Sequence, residues 1–254
     1  MRVIVLGSGT SQGVPVIACN CNVCQSENPK DKRLRCSIYI EVDGVHLVVD
    51  TGPDFRAQML RENIQHLDAV LFTHEHKDHL AGLDDIRAFN FKKGGQPMSI
   101  YATEQVQQAL KREFSYVFSD YKYPGVPELN IHTIKNENFT VEGIKVQPID
   151  LLHYKMPVKG FRVKDAAYVT DANFISDKEK EKLKGLKVLI LNALRKEKHI
   201  SHFNLEEALE LIAELKPQRA YLTHLSHLMG KHIEIEDELP KGVYLAYDGM
   251  KINL

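Results

Sequence analysis

Ala69-Val70-Leu71-Phe72-Thr73-His74-Glu75-His76-Lys77-Asp78-His79 is the stretch on which the reading of this chain turns. Its first four residues form an apolar run that reads as a short buried strand. The six that follow Thr73 carry three imidazoles and two carboxylates. At the end of a core strand such groups lose water. Leaving several of them unpartnered costs several kcal/mol, on the order of a domain's net stability. A bound cation removes that cost, because neutral imidazole and carboxylate are good ligands for divalent metals. His74 and His76 are two apart, so in extended backbone they point to the same side and can clamp one ion. Asp78 and His79 follow where the chain turns into the helical pattern from Leu80, and would face a neighbouring ion. The H-E-x-x-H pattern of zinc proteases does not fit, since it needs two histidines at i and i+4 on a helix.

The 254 residues leave ample length for a substantial core. A hydrophobic fraction of 43% and a charged fraction of 26% are ordinary for a globular protein. Basic and acidic residues nearly cancel, 33 against 34, so no nucleic-acid or membrane surface is expected. No apolar run approaches the roughly 20 residues of a membrane span. The opening Met1–Gly7 is too short for a signal peptide and reads as a first strand. A cytoplasmic location is expected, and in that reducing compartment the four cysteines are thiols or metal ligands rather than disulfides.

Apolar, β-branched runs recur along the chain. Ile38–Val42 and Val45–Val49 flank Asp43-Gly44, a type I′ hairpin turn. Helices are expected over Asp54–Glu62, Leu80 to about Phe91, Glu104–Arg112, Ser176–Lys184 and Leu205–Leu215. Further strands are expected at Ser99–Tyr101, Ile144–Ile149, Lys159–Val163, Ala166–Thr170, Val188–Leu191 and Arg219–Thr223. A closing hairpin of Val243–Tyr247 and Lys251–Leu254 is expected around Asp248-Gly249. The stretch at about 113–130 is rich in Tyr, Phe and Pro without a clear period and reads as a lid or insertion. Hairpins mixed with strand–helix alternation in both halves suggest two mixed β-sheets packed face to face with helices outside, in one continuous domain over 1–254.

Three more strands end in a polar residue, as the first stretch does: Ile144–Ile149 before Asp150-Leu151-Leu152-His153, Tyr168-Val169-Thr170 before Asp171, and Tyr221-Leu222-Thr223 before His224. If these strands lie side by side, all the ends meet at one edge. His74, His76, Asp78 and His79 form H-x-H-x-D-H. With His153, Asp171 and His224 they resemble, in order and spacing, the ligand series of the metallo-β-lactamase superfamily. The resemblance runs from the first strand to His224. It implies the αββα sandwich of that superfamily, with a dinuclear centre at one edge: His74, His76 and His153 on one metal, Asp78, His79 and His224 on the other, and Asp171 bridging. It also implies that Asp50, in Asp50-Thr51-Gly52, orients a ligand imidazole by a hydrogen bond.

Cys19-Asn20-Cys21-Asn22-Val23-Cys24 brings three soft ligands onto one loop, a set suited to tetrahedral zinc. Cys36 and His227 are the two candidates for a fourth ligand, within a Cys-rich region at about 17–36 and beyond it. One branch of the superfamily, the phosphoribosyl cyclic phosphate phosphodiesterases of the carbon–phosphorus lyase pathway, is similar in Gly7–Pro15, in the Cys loop, in Thr223-His224-Leu225-Ser226-His227 and in Asp248-Gly249-Met250. A branch of accessory proteins of pyrroloquinoline quinone synthesis shares the Cys loop but usually lacks the complete H-x-H-x-D-H. The resemblance to the first branch implies a structural zinc on Cys19, Cys21, Cys24 and His227, with Cys36 an ordinary core thiol.

The function implied is a metal-dependent phosphodiesterase acting on a small cyclic phosphate, with two divalent ions, zinc or manganese, ionising the attacking water. An alkoxide leaving group needs a proton donor, for which His199 and His202 are candidates. Position in the family pattern selects His202 as general acid and leaves His199 to contact phosphate. Asp78 belongs to the catalytic set through its metal. The Gly7–Gly13 loop could present backbone N–H groups to a phosphate, and Arg56 is a further candidate contact. The alternatives are a transfer-RNA 3′ processing endonuclease, which a near-zero net charge disfavours, and a non-catalytic accessory protein, which an intact ligand set disfavours. The expected partner is a small phosphodiester substrate; a homodimer is suggested by family habit alone.

Overall fold

The computed structural model describes residues 1–254. Its strands are β1 (Arg2–Gly7), β2 (Ser37–Val42), β3 (Val45–Val49), β4 (Ala69–Leu71), β5 (Met98–Ala102), β6 (Leu129–Thr133), β7 (Phe139–Val141), β8 (Ile144–His153), β9 (Met156–Val163), β10 (Ala166–Val169), β11 (Val188–Asn192), β12 (Arg219–Thr223), β13 (Val243–Leu245) and β14 (Lys251–Asn253). They form two seven-stranded mixed sheets, in the orders β14-β1-β2-β3-β4-β5-β6 and β13-β12-β11-β10-β9-β8-β7. The helices are α1 (Phe55–Arg61), α2 (Lys77–Leu80), α3 (Arg87–Lys92), α4 (Glu104–Glu113), α5 (Asp177–Glu181), α6 (Leu205–Leu215) and α7 (His232–Glu236). None is long and apolar enough to cross a membrane.

Side-chain alternation along the strands produces three apolar layers. The central one joins Val3, Val5, Leu47 and Leu71 of the first sheet to Val146, Phe161, Tyr168 and Ile190 of the second. Outside the first sheet, Val48, Val70 and Ile100 meet Phe55, Leu80, Phe89 and Val106 from α1 to α4. Outside the second, Leu189, Leu191 and Leu222 meet Leu211, Leu215 and Ile235 from α6 and α7. Each fully buried aliphatic or aromatic side chain contributes about 1.5–3 kcal/mol. This is the four-layer metallo-β-lactamase sandwich expected from the sequence.

Parallel pairing sets where the polar residues go. Strands β3, β4, β5 and β6 run parallel, as do β10, β11, β12 and β13. Strand β8 shares the direction of β10, because β9 is antiparallel to both. The carboxyl ends carrying Asp50, His74, His153, Asp171 and His224 therefore lie at one edge.

Four expectations need correction. The helix expected from Leu80 to Phe91 is broken: α2 ends at Leu80, a 3-10 turn covers Leu83–Ile86, and α3 follows. The break is a close backbone approach, since a Cβ on Gly82 would lie 2.1 Å from the Gly52 carbonyl oxygen and one on Gly52 would lie 2.1 Å from that of Asp78. The closing hairpin does not form: β13 pairs with β12 and β14 with β1, in different sheets. The segment at 113–130 is partly core, with Phe114 and Val117 buried, and Leu129 and Asn130 begin edge strand β6. The Gly7–Gly13 loop spends four amides inside the fold, Ser8 N–H donating to Asp248 and those of Gly9, Thr10 and Gly13 to Leu34, Leu225 and Thr10. It is a joint between β1 and the segment after β12 rather than a phosphate cradle.

Gly82→Ala tests the close approach. It is expected to cost about 1–3 kcal/mol by overpacking, read by denaturant unfolding, and to weaken metal binding through Asp78 and His79 while leaving metal at the Cys loop intact, read by metal content.

Candidate metal centres

Asp50, Asp171 and His224, at the ends of β3, β10 and β12, all have left-handed backbone, with φ of 66°, 57° and 57°. This region is uncommon for side chains other than glycine and persists where surrounding contacts over-determine it. Each turn halts a strand abruptly and swings one polar side chain across the sheet edge. The surrounding contacts are visible. The Asp50 carboxylate accepts from Thr73 N–H and Thr73 Oγ–H, both at 2.8 Å, and from His79 Nδ1 at 2.7 Å. Asn192, the last residue of β11, accepts from Ala172 N–H and donates to Ala172 O. Leu225, next to His224, donates to Ser8 O and accepts from Thr10 N–H.

All seven expected ligands of the dinuclear centre converge. His74 Nε2 lies 3.1 Å from His76 Nδ1, and the ligating atoms of His74, His76 and His153 are within 4.8 Å of one another. On the other side, His79 Nε2 is 3.2 Å from Asp78 Oδ2 and 3.3 Å from Asp171 Oδ2. His224 Nε2 is 3.1 Å from Asp171 Oδ1 and 3.9 Å from Asp78 Oδ2. Asp171 also falls within 4.8 Å of His153 and His202, so its carboxylate faces both groups. Donor atoms about 2.0–2.2 Å from a tetrahedral ion stand roughly 3.3–3.6 Å apart. The observed separations suit one ion in each group.

Hydrogen bonding is incomplete without such ions. His79 Nε2, both ring nitrogens of His224 and His202 Nδ1 are buried and have no hydrogen-bond partner. Charges are arranged to match. Burial opposes a charge on His79 and His224, yet Asp171, with Asp78, holds both well above the usual histidine range. Burial, with His79 beside it, pushes His74 well below that range. Burial alone would raise Asp171, but His224 and His79 keep it well below the usual carboxylate range. One group therefore presents imidazoles without a carboxylate of their own, with His74 held neutral, and the other a carboxylate-rich pocket drawing positive charge.

Two supporting groups escaped sequence reading. Thr73 Oγ donates to Asp50 and lies 2.9 Å from His74 Nδ1, so it orients both histidine sets. Ser201 O accepts from His153 Nδ1 at 2.8 Å. A hydroxyl residue directly before the first histidine was a readable signal; a backbone carbonyl 48 residues from its partner was not.

The remaining candidates divide. His202 is brought to the centre, its Nδ1 3.7 Å from Asp171 Oδ1 and its ring 4.5 Å from that of His153 and 4.7 Å from that of His224. The Asn204 capping box at the start of α6 anchors its segment. Burial, with His224 beside it, pushes His202 down to about 2. His199 is half-buried, its ring 5.2 Å from that of His202. Arg56 is not at the centre: it lines an outer cleft between α1 and α3 with Leu60, Asp85 and Phe89. Cys36 is buried beneath the second group, with its sulfur within 4.8 Å of ligating atoms of His79, Asp171 and His224 and 3.4 Å from Thr170 Oγ1.

The Cys loop forms a second centre. Cys19 and Cys21 Sγ lie 3.3 and 3.4 Å from His227 Nδ1, and Cys24 completes a set within 4.8 Å. Zinc–sulfur and zinc–nitrogen bonds of about 2.3 and 2.0 Å in a tetrahedron predict a separation of roughly 3.6 Å, so the four residues fit zinc. Val16 and Cys24 backbone N–H groups donate to Cys24 and Cys21 sulfurs. The Cys24 amide, with His227, lowers the Cys21 thiol to about 6, while burial raises Cys24 to about 11.

Comparison with known proteins agrees with this architecture. The family described as Beta-lactamase superfamily domain matches residues 46–225. An octanoyltransferase of Porphyromonas gingivalis is 39% identical over 99% of this chain. The chain spans about half, 51%, of that relative's length. The crystal structure of a diphosphatase from the PhnP family superposes with a TM-score of 0.93 at 40% identity, covering 100% of this chain and 97% of the other. Zinc-bound PqqB from Methylobacterium extorquens superposes with a TM-score of 0.81 at 21% identity over the whole of both chains, a likeness of fold.

Asp50→Asn keeps the size and left-handed tolerance of the side chain but loses its charge. Metal affinity at the dinuclear centre should fall about 10–100-fold, measured by competition with a chromophoric chelator, with the Cys-loop metal retained. In metal-stripped protein, Cys21 is a thiolate above about pH 6. Alkylation followed by mass spectrometry should label it ahead of Cys24 and Cys36, at a rate that rises through that pH, and added zinc should block the reaction.

Proposed function

This chain belongs to the beta-lactamase superfamily, and from that premise we propose that it is a metal-dependent phosphodiesterase that opens a small cyclic phosphate of a sugar. The observation that carries this reading is a complete seven-residue ligand set with a buried imidazole, His202, on its rim, 3.7 Å from the shared carboxylate of Asp171.

In this reading His74, His76 and His153 would hold one divalent ion, Asp78, His79 and His224 would hold the other, and Asp171 would be available to both. Such a pair, when bound, supplies water ionised near neutral pH and offsets negative charge on the phosphoryl oxygens. The chain's own groups do the rest. Asp50 and Thr73 fix the ring orientations of His79 and His74, and Ser201 O fixes His153. His202 protonates the departing sugar oxygen. In the free protein burial and His224 keep its ring neutral. An anionic phosphodiester against the ring offsets that repulsion and favours the protonated form. His199 contacts a phosphoryl oxygen. The Cys-loop metal is structural.

The similarity to a PhnP-family diphosphatase supports phosphorus–oxygen cleavage and carries a second reading, hydrolysis of a diphosphate linkage. The two differ in leaving group. A sugar alkoxide is a poor leaving group and needs a proton; a phosphate leaves without one. Action on transfer RNA is disfavoured by a formal net charge of −1, because polyanion binding requires many cationic contacts. The octanoyltransferase is about twice the length of this chain, so its name is no guide to this half.

Zinc- or manganese-loaded protein offered a cyclic ribose phosphate, a diphosphate diester, bis(p-nitrophenyl) phosphate and a precursor transfer RNA should turn over the cyclic phosphate fastest. His202→Ala should keep its metals and lose about 10²–10⁴-fold on that substrate, with a smaller loss on the aryl ester. Preference for the diphosphate diester with little effect of His202→Ala would favour the second reading. No turnover of any phosphoester by fully loaded protein would overturn the proposal.

A further inference from the structure

Beside the His74–His76 loop a polar groove of about 430 Å³ opens between the first turn of α4 and the β8–β9 hairpin. Its floor holds a group that the mechanism leaves unused. The Lys159 side chain is 9% exposed, and its ammonium donates to Asn136 Oδ1 at 2.7 Å and to the Asp150 carboxylate. Burying an ammonium ion is costly unless it is paired. Asp150 supplies the pairing charge while remaining 41% exposed, so one face of its carboxylate opens into the groove.

The groove is tied to the metal centre by short links. Lys159 N–H donates to Thr73 O at 3.0 Å, one residue before His74. Gln105, from α4, donates to Glu75, between His74 and His76. Asp150 precedes His153 by three residues on β8, about 10 Å along a strand. Asp150 and His153 point to opposite faces of β8, so it is through Thr73 and Glu75 that the groove adjoins the loop carrying His74 and His76.

Resting on the phosphodiesterase reading, we propose that this groove is the subsite for the sugar: its free hydroxyls donate to the Asp150 carboxylate and Asn136 carbonyl oxygen, and Lys159 positions both acceptors. The chemistry favours a neutral polyol over a second phosphate. The groove's charges balance, Lys135 and Lys159 against Glu104 and Asp150, and the buried cation is already paired. A carboxylate beside an amide and an ammonium offers the acceptors and donors that free hydroxyls need. An apolar aryl group would leave these groups unpaired.

Two measurements test the inference, one of them independent of turnover. Ribose 5-phosphate added to metal-loaded protein should show saturation transfer to its sugar protons by NMR, and Asn136→Ala and Asp150→Ala should remove it. For the cyclic ribose phosphate, both variants should raise KM about tenfold or more, change kcat less than threefold and keep full metal content. The loss in kcat/KM on bis(p-nitrophenyl) phosphate should be several-fold smaller. Asp150→Ala strands the buried lysine, so the double variant Asp150→Ala/Lys159→Met repeats the test without an unpaired charge, and exposed Asn136 gives a third variant with little risk to folding. Undiminished saturation transfer in the variants, or equal losses on sugar and aryl esters, would overturn the subsite. Failure of the enzyme to turn over any phosphoester while the NMR contrast holds would instead count against the phosphodiesterase reading.

Discussion

Asp50 has no water contact, and burial pushes its carboxyl up; three donors from one short segment oppose that shift: Thr73 N–H, Thr73 Oγ–H and His79 Nδ1. A buried anion without such partners costs several kcal/mol. This requirement forces the backbone after β4 to fold back over the end of β3. His79 is thereby fixed with Nε2 pointing outward, and Thr73 Oγ1 is left within 2.9 Å of His74 Nδ1. One carboxylate thus sets the geometry of both ligand groups while belonging to neither of them. The glycine pair at 52 and 82 follows from the same constraint, because the returning chain passes at backbone contact.

The electrostatics at the edge carry the same asymmetry. Without a cation, the group containing Asp78 and Asp171 draws protons onto His79 and His224 despite their burial. These protons occupy the place of positive charge that a metal would fill, and metal binding must displace them, which makes affinity pH-dependent. The group of His74, His76 and His153 has no carboxylate of its own and meets negative charge only from Asp78 and Asp171 across the site. The two positions are therefore unequal. Imidazole and carboxylate donors admit zinc and manganese alike. The buried sulfur of Cys36, under the carboxylate-rich position, adds a polarisable neighbour to that side alone.

Much of this was legible because the decisive residues sit where apolar runs stop. A strand ending in His74, Asp171 or His224 announces itself by the switch from β-branched residues to a single polar one. The Cys loop is equally plain, since its ligands are nearly contiguous. What escaped detection lacks a local signal. Edge strand β6 alternates half-buried and exposed residues and includes His132 and Thr133, so its hydrophobic pattern is weak. Asp248-Gly249 has the composition of a hairpin turn. The Asp248 carboxylate is instead taken by Ser8 N–H, Ser8 Oγ–H and Leu34 N–H, with Arg61 beside it. Those partners are more than 180 residues away in sequence, and they carry the chain from one sheet to the other. Arg56 failed as a site residue for a related reason: its place on α1 is set by which helix face covers Val48 and Val70, not by its nearness in sequence to Asp50.

The two metal centres are joined by a single short segment. Thr223 ends β12, His224 turns into the cluster of His79, Asp78 and Asp171, and His227 reaches the Cys loop three residues later. Between them Leu225 is fully buried and bonded on both sides to the Ser8–Thr10 segment that follows β1. His224 holds a left-handed conformation that needs support from its neighbours. A cation on Cys19, Cys21, Cys24 and His227 would fix the far end of this segment, and the Ser8–Thr10 bonds fix its middle. The glycines of that stretch are required by contact: a Cβ on Gly7 would lie 2.0 Å from Arg35 O, and one on Gly9 would lie 2.9 Å from Arg33 O. The glycine-rich opening and the Cys loop therefore act together in presenting one imidazole at the edge where the candidate ligands meet.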